Sequence, residues 1–126
     1  MSLFEANQDL LALTKSIEPW IIDVRRRLHQ CPELLYDLQE TSSIVRETLD
    51  SLNIDFRSGV AETGILATIG SGNGNCVMLR ADMDALPIAE LADVDFKSKN
   101  NGKMHACGHD CHTAMLLGAA RLLKEK

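Results

Sequence analysis

The segment KMHACGHDCHTAMLLGAARLLKEK, Lys103–Lys126, places three histidines, two cysteines and an aspartate within eight residues, directly ahead of an apolar run. Thiolate and imidazole are preferred ligands of zinc and its neighbours, whereas carboxylates favour harder ions. In an extended chain, residues two apart point to the same side. Cys107 and His109 can therefore grip one ion or an adjacent pair, with Gly108 between them adding no side-chain bulk. His105 and Cys111 share that parity, so spacing alone does not single out the ligand pair. Taken singly, a loop histidine is usually a hydrogen-bonding polar group and a cysteine a small buried hydrophobe. His105, Cys107, His109, Cys111 and His112 together make coincidence a poor account. A structural zinc site needs two separated ligand pairs closing a tetrahedron. Cys31 and Cys76 are isolated, and His29 stands alone beside Cys31. An open catalytic site with an incomplete ligand set fits better.

A second constellation is LRADMDALP, Leu79–Pro87. Asp82 and Asp84 fall where a predicted strand ends, the usual place for functional groups in α/β sheets. Their spacing of two lets both carboxylates face one site, although acids there can equally cap a turn. A carboxylate bonded to a metal-bound histidine fixes its tautomer and raises its basicity. That role is expected of one of the two.

Around these motifs the sequence predicts helices, then strands, then a loop feeding a last helix, an α/β arrangement. A first helix spans 4–17, with Phe4, Leu10, Leu11 and Leu13 as its apolar face. Pro19 opens a second over 18–30, striped by Trp20, Ile21, Val24 and Leu28. Asp37 and Glu40 resemble a capping box for a third, over 38–52, striped by Ile44, Val45, Leu49 and Leu52. NIDFRS, GILATIG and CVMLRADM read as three strands, and GSGNGN (70–75) as the hairpin turn joining the last two. Because a strand follows those glycines, no helix N-terminus is available there to hold a phosphate. After an irregular stretch over 85–103, the final helix starts near Asp110 as N-cap and buries Met115, Leu116, Ala119, Leu122 and Leu123.

Composition narrows the partners. The chain of 126 residues is 45% apolar and 25% charged with a formal charge of −5, which argues against nucleic acid or an anionic membrane. It is one domain long and could bury roughly two-thirds of its unfolded surface. The basic cluster Arg25–Arg26–Arg27 is expected to be a solvated helix face. No apolar run approaches a membrane span, and the first residues lack the pattern of a signal peptide. Four scattered cysteines do not form a disulfide framework, so a reducing, cytoplasmic location is expected.

RRRLHQCPELLYDLQETS, LRADMDALPIAE and GKMHACGHDCHTAMLLGAARLL, in this order, resemble the amidohydrolase branch of the aminoacylase/carboxypeptidase-type metallopeptidases. That branch holds hippurate hydrolases, N-acetyl-amino-acid deacetylases and plant auxin-conjugate hydrolases. The likeness covers residues from about 21 to 126. It implies the N-terminal part of the catalytic domain of a binuclear-metal exopeptidase-like fold, helices packed on a partial β-sheet. A smaller inserted lid domain, which often dimerises, and the rest of the catalytic domain would lie outside residues 1–126. By the same resemblance Cys107 and His109 are metal ligands, with Cys107 bridging two divalent ions (zinc or manganese, or cobalt). Asp84 orients the site from behind a ligand. The role of Asp82 is left open, because the wider family often has a metal-binding histidine there. His105 and His112 take structural positions, while His29, Pro32 and Glu33 match a motif that shapes the fold near the site.

The implied chemistry is hydrolysis of the amide bond of a small N-acyl amino acid or amino-acid conjugate by a metal-activated water, with a glutamate general base. That glutamate and the remaining histidine ligands would follow Lys126, so the 126-residue chain is expected to be a fragment with little activity and an exposed sheet edge prone to aggregation. Two alternatives stand beside this reading: a non-enzymatic truncated module that binds metal weakly or serves interaction, and a small structural zinc domain that unfolds on chelation.

Overall fold

A computed structural model describes residues 3–125, with side chains described from residue 9. Three helices and one hairpin make up the regular structure: α1 (Leu3–Gln30), α2 (Gln39–Ser51), β1 (Asp55–Val60), β2 (Gly64–Thr68) and α3 (His109–Lys124). The α/β character holds, as helices packed on a partial sheet.

The break expected at Pro19 does not occur; α1 runs through it as one helix of 28 residues. Proline deletes one backbone bond and crowds the preceding turn, at about 3 kcal/mol. Beyond it the helix is held by its own buried stripe, Val24 and Leu28, with Trp20 and Ile21 packed alongside. Before it Leu10 and Leu11 are exposed and Leu13 is half-buried, so only part of the apolar face predicted for 4–17 is covered there, with Ile17 buried at its end; Phe4 lies outside the described side chains.

At the start of α2 the predicted capping box is replaced by a more distant cap. Leu38 occupies the N-cap without a side-chain bond. Instead the Glu33 carboxylate accepts the backbone N–H groups of Glu40 at 3.1 Å and Thr41 at 2.8 Å. Two orphan donors and the positive end of the helix are thereby satisfied by one anion. Val45 and Leu49 face inward as predicted, and the helix ends with Asn53 at φ 52°.

β1 and β2 pair antiparallel, from Asp55 opposite Thr68 to Val60 opposite Gly64, with a bulge between Ser58 and Val60. The chain reverses through Ala61 and Glu62, both at positive φ. Gly64 is required at the close: a Cβ there would lie 2.5 Å from the Val60 carbonyl oxygen. The hairpin turn is therefore at 61–63, not at GSGNGN. The third predicted strand is absent among the described residues; 75–85 has no regular structure and pairs with no strand, and Val77, Met78 and Leu79 lie in solvent. Strand propensity without a hydrogen-bonding neighbour does not make a strand.

The core gathers Val24 and Leu28 of α1, Val45 and Leu49 of α2, Ile54, and Ala114 and Leu117 of α3. α3 crosses α1 closely, since a Cβ on Gly118 would sit 2.8 Å from Ile21 Cδ1. The face that α3 buries is Asp110, Thr113, Ala114, Leu117 and Gly118. This corrects the predicted stripe: Met115 and Leu123 are each 57% exposed. The irregular 85–108 segment is tied to the α1–α2 connector, with Ala85 N–H donating to the Glu33 carbonyl and Lys99 N–H to that of Gln30.

Candidate metal centre

The ligand loop ends in a sharp turn. Gly108 takes the left-handed conformation, φ 83°, as the N-cap of α3, and its carbonyl accepts the N–H groups of Cys111 and His112. Only glycine adopts that conformation at no steric cost. The turn makes Gly108, rather than Asp110, the N-cap, with His109 the first helical residue.

Alongside runs the 82–84 segment. His109 Nδ1 lies 2.9 Å from Asp84 Oδ1 and 2.8 Å from the Asp84 carbonyl oxygen. One helical turn later the Thr113 hydroxyl donates to the Asp82 carbonyl at 2.9 Å. Of the two aspartates it is Asp84 that reaches the histidine. The Asp82 carboxylate pairs with Arg80 at the surface.

With Nδ1–H donated to Asp84, the His109 ring is fixed in the tautomer that leaves the Nε2 lone pair free. The Cys107 thiol is exposed and unpaired, as all four cysteines are free. Cys31, by contrast, is half-buried, and burial near Glu40 and Glu33 pushes its thiol up to about 11. A soft thiolate, an imidazole with a free nitrogen and a carboxylate behind it suit a zinc-like ion. They are not a complete set: among the described residues no three His, Cys, Asp or Glu side chains are grouped to hold a metal.

The other histidines separate. His112 is exposed, its ring 5.6 Å from that of His109. His105 is 4% exposed, and neither ring nitrogen has a partner among the described residues. Burial pushes its pKa below the ordinary 6.5, against the pull of the Asp110 charge.

Sequence reading missed the cluster under this loop. Asp110, expected to cap a helix, is fully buried: its Oδ2 lies 2.7 Å from both Arg25 Nε and His29 Nδ1. His29 Nε2 meets Glu90 Oε1 at 3.0 Å, and Glu90 Oε2 accepts the Ser98 N–H at 2.7 Å. Burial alone would raise the Glu90 carboxyl, but hydrogen bonds from His29 and the Ser98 backbone hold it below the ordinary 4.5. Arg25 is thus no solvated cation; it pairs with Asp110 and, like Arg26, sits 4.9 Å from the centre of the Phe96 ring. The available signal was Arg25 and His29 at i,i+4, which places both on one face of a helix. Their partner is 81 residues from His29, which no local pattern reveals.

Residues 78–126 match the model of Peptidase family M20/M25/M40. Over that segment the chain resembles this family. It is 51% identical over 115 residues to IAA-amino acid hydrolase ILR1-like 5 of Arabidopsis thaliana, covering 91% of this chain and 26% of that protein. The N-acetyl-L-cysteine deacetylase of Bacillus subtilis (strain 168) is 48% identical over 111 residues, 87% of this chain and 27% of the relative. Among solved structures, Bacillus subtilis YXEP protein, a dinuclear metal binding peptidase from the M20 family, superposes with a TM-score of 0.82 at 42% identity. That match covers 88% of this chain and 32% of the other. The chain therefore spans about a quarter to a third of the length of these relatives.

Proposed function

We propose that this chain forms the N-terminal portion of the catalytic, metal-binding domain of an amidohydrolase that cleaves the amide bond of N-acyl amino acids or amino-acid conjugates. One observation carries the reading: His109 is held by Asp84 through Nδ1, two residues after an exposed cysteine, at the start of a buried helix. The names of the relatives, an amino-acid conjugate hydrolase and an N-acetyl-L-cysteine deacetylase, support the substrate class.

Cys107 Sγ and His109 Nε2 are the groups that would hold divalent ions. Asp84 acts by keeping the proton on Nδ1 and the ring in place. Two bound ions (zinc, manganese or cobalt) would supply Lewis acidity toward the substrate carbonyl and lower the pKa of water. The glutamate general base, the remaining ligands and a lid domain belong to protein outside these 126 residues. The 126-residue chain alone hydrolyses little or nothing, and the longer protein works as a cytoplasmic homodimer.

A second reading, a truncated metal-binding or interaction module, draws on the solvent-exposed run Val77–Leu79 and the incomplete ligand set. Both are tested in the longer protein carrying this sequence by measuring bound metal and hydrolysis of N-acetyl amino acids, with and without Cys107→Ser. Loss of metal and at least about a hundredfold loss of hydrolysis are expected. Unchanged metal content and rate would remove Cys107 as a ligand, and absence of hydrolysis in the unsubstituted longer protein would remove the amidohydrolase reading.

A further inference from the structure

The face that α3 presents to the core is not its most apolar one. Met115 and Leu123 are turned to solvent, while Asp110, Thr113, Ala114, Leu117 and Gly118 are buried. Hydrophobic burial alone would favour rotating the larger side chains inward. The opposite orientation is held by a polar contact, since the Asp110 carboxylate has no exposed surface and its Oδ2 meets Arg25 Nε and His29 Nδ1 at 2.7 Å each, while its Oδ1 has no hydrogen-bond partner among the described residues. A carboxylate taken out of water needs such partners or it drives the helix to another packing. Asp110 also lies in the first turn of α3, where the helix end favours an anion.

The rotation of α3 about its axis fixes where the next residue points. In an α-helix neighbouring residues are about 100° apart around the axis. With Asp110 locked against α1, His109 is turned toward Asp84 and away from the core. His29 extends the lock, because its second nitrogen meets Glu90, whose other oxygen holds the Ser98 N–H. The end of α1, the 85–104 segment and the start of α3 therefore converge on one buried group directly behind the ligand loop.

We propose that Asp110 is a positioning residue for the metal centre: its buried pairing with Arg25 and His29 sets the azimuth of α3 and thereby aims His109 at Asp84. This rests on the metal-centre reading given above, and the test separates the two. In the longer protein carrying this sequence, Zn²⁺ affinity is measured by chelator competition, and thermal midpoints are measured without metal, for Asp110→Asn, Cys107→Ser and Leu117→Ala. Leu117 is buried in the same helix face two turns beyond His109, so its truncation reports the effect of destabilising α3 alone.

Asp110→Asn is expected to weaken Zn²⁺ binding at least about tenfold, the effect typical of losing support behind a ligand. Leu117→Ala should lower the midpoint by as much or more, yet leave affinity within about twofold. Equal affinities for Asp110→Asn and Leu117→Ala at matched loss of midpoint would overturn the proposal while the metal centre stood. Unchanged binding in Cys107→Ser would sink both. Should Asp110→Asn fail to fold, Glu90→Gln, which loosens the same lock one residue further out, is expected to weaken affinity about threefold; no change would overturn the proposal.

Discussion

Residues 76–79, Cys-Val-Met-Leu, are more apolar than residues 109–114, His-Asp-Cys-His-Thr-Ala, yet the first stretch lies in solvent and the second buries Asp110, Thr113 and Ala114. Val77 is 84% exposed and Met78 76%, whereas Asp110 and Ala114 are each 1% exposed. The difference lies in how each backbone is satisfied. A helix closes its own hydrogen bonds and can press either face against α1, so specific anchors choose the face. An extended segment must find its bonds in a neighbouring strand, and among the described residues 76–79 has none. Apolar character makes burial favourable; a satisfied backbone and a matching surface make it possible.

That contrast can be broken first at the well-packed side. Leu28 of α1 is fully buried among core residues of all three helices. Leu28→Ala is expected to lower unfolding stability by about 3 kcal/mol, read from denaturant midpoints, as for large-to-small core changes. Glu33→Ala removes the anion that caps α2 from the preceding connector. A loss of about 1 kcal/mol is expected, the usual worth of a cap. Circular dichroism should register a small loss of total helix content.

Acid and alkali probe the buried polar side of the same comparison. The Glu90 carboxyl is held below its ordinary 4.5. Its contribution is therefore present above that value and is lost as pH falls below it, when the unfolded chain takes up the proton first. Glu90→Gln should remove that part of the acid limb in a plot of thermal midpoint against pH. At the other end Cys31, whose thiol is pushed from 9.0 up to about 11, makes stability fall as pH rises through that window, because the unfolded thiol ionises first. Cys31→Ala should flatten that limb.

The smallest effect is expected in the exposed stretch. Met78→Lys should change stability by less than about 0.5 kcal/mol, as surface substitutions usually do. It should also reduce self-association in sedimentation velocity, since a contiguous exposed apolar run is a site where another surface docks. A large loss of stability instead would mean that 76–79 is packed in solution.

Much of the layout was legible in the chain. The stripe Val24 and Leu28, the pair Val45 and Leu49, and the start of α3 within one residue of Asp110 all follow from spacing. The Pro19 break failed because one missing bond is outweighed when the following turns are anchored in a core. The third strand failed because strand formation is a property of a pair. At the site, spacing left open which aspartate reaches the His109 ring, while the family resemblance pointed to Asp84, the one that does.

By itself the sequence determined the chemistry on offer and the local elements: soft ligands at 107 and 109, carboxylates at 82 and 84, helices where apolar residues recur at helical spacing. These depend on side-chain identity and near neighbours, which a linear chain specifies. Only the tertiary structure decided that Asp84 holds His109, that Asp110 rather than Met115 faces α1, and that His29 joins three distant segments. Each of those outcomes is settled by the cost of leaving a polar group unpaired across a long sequence separation, a quantity that exists only once the segments have met.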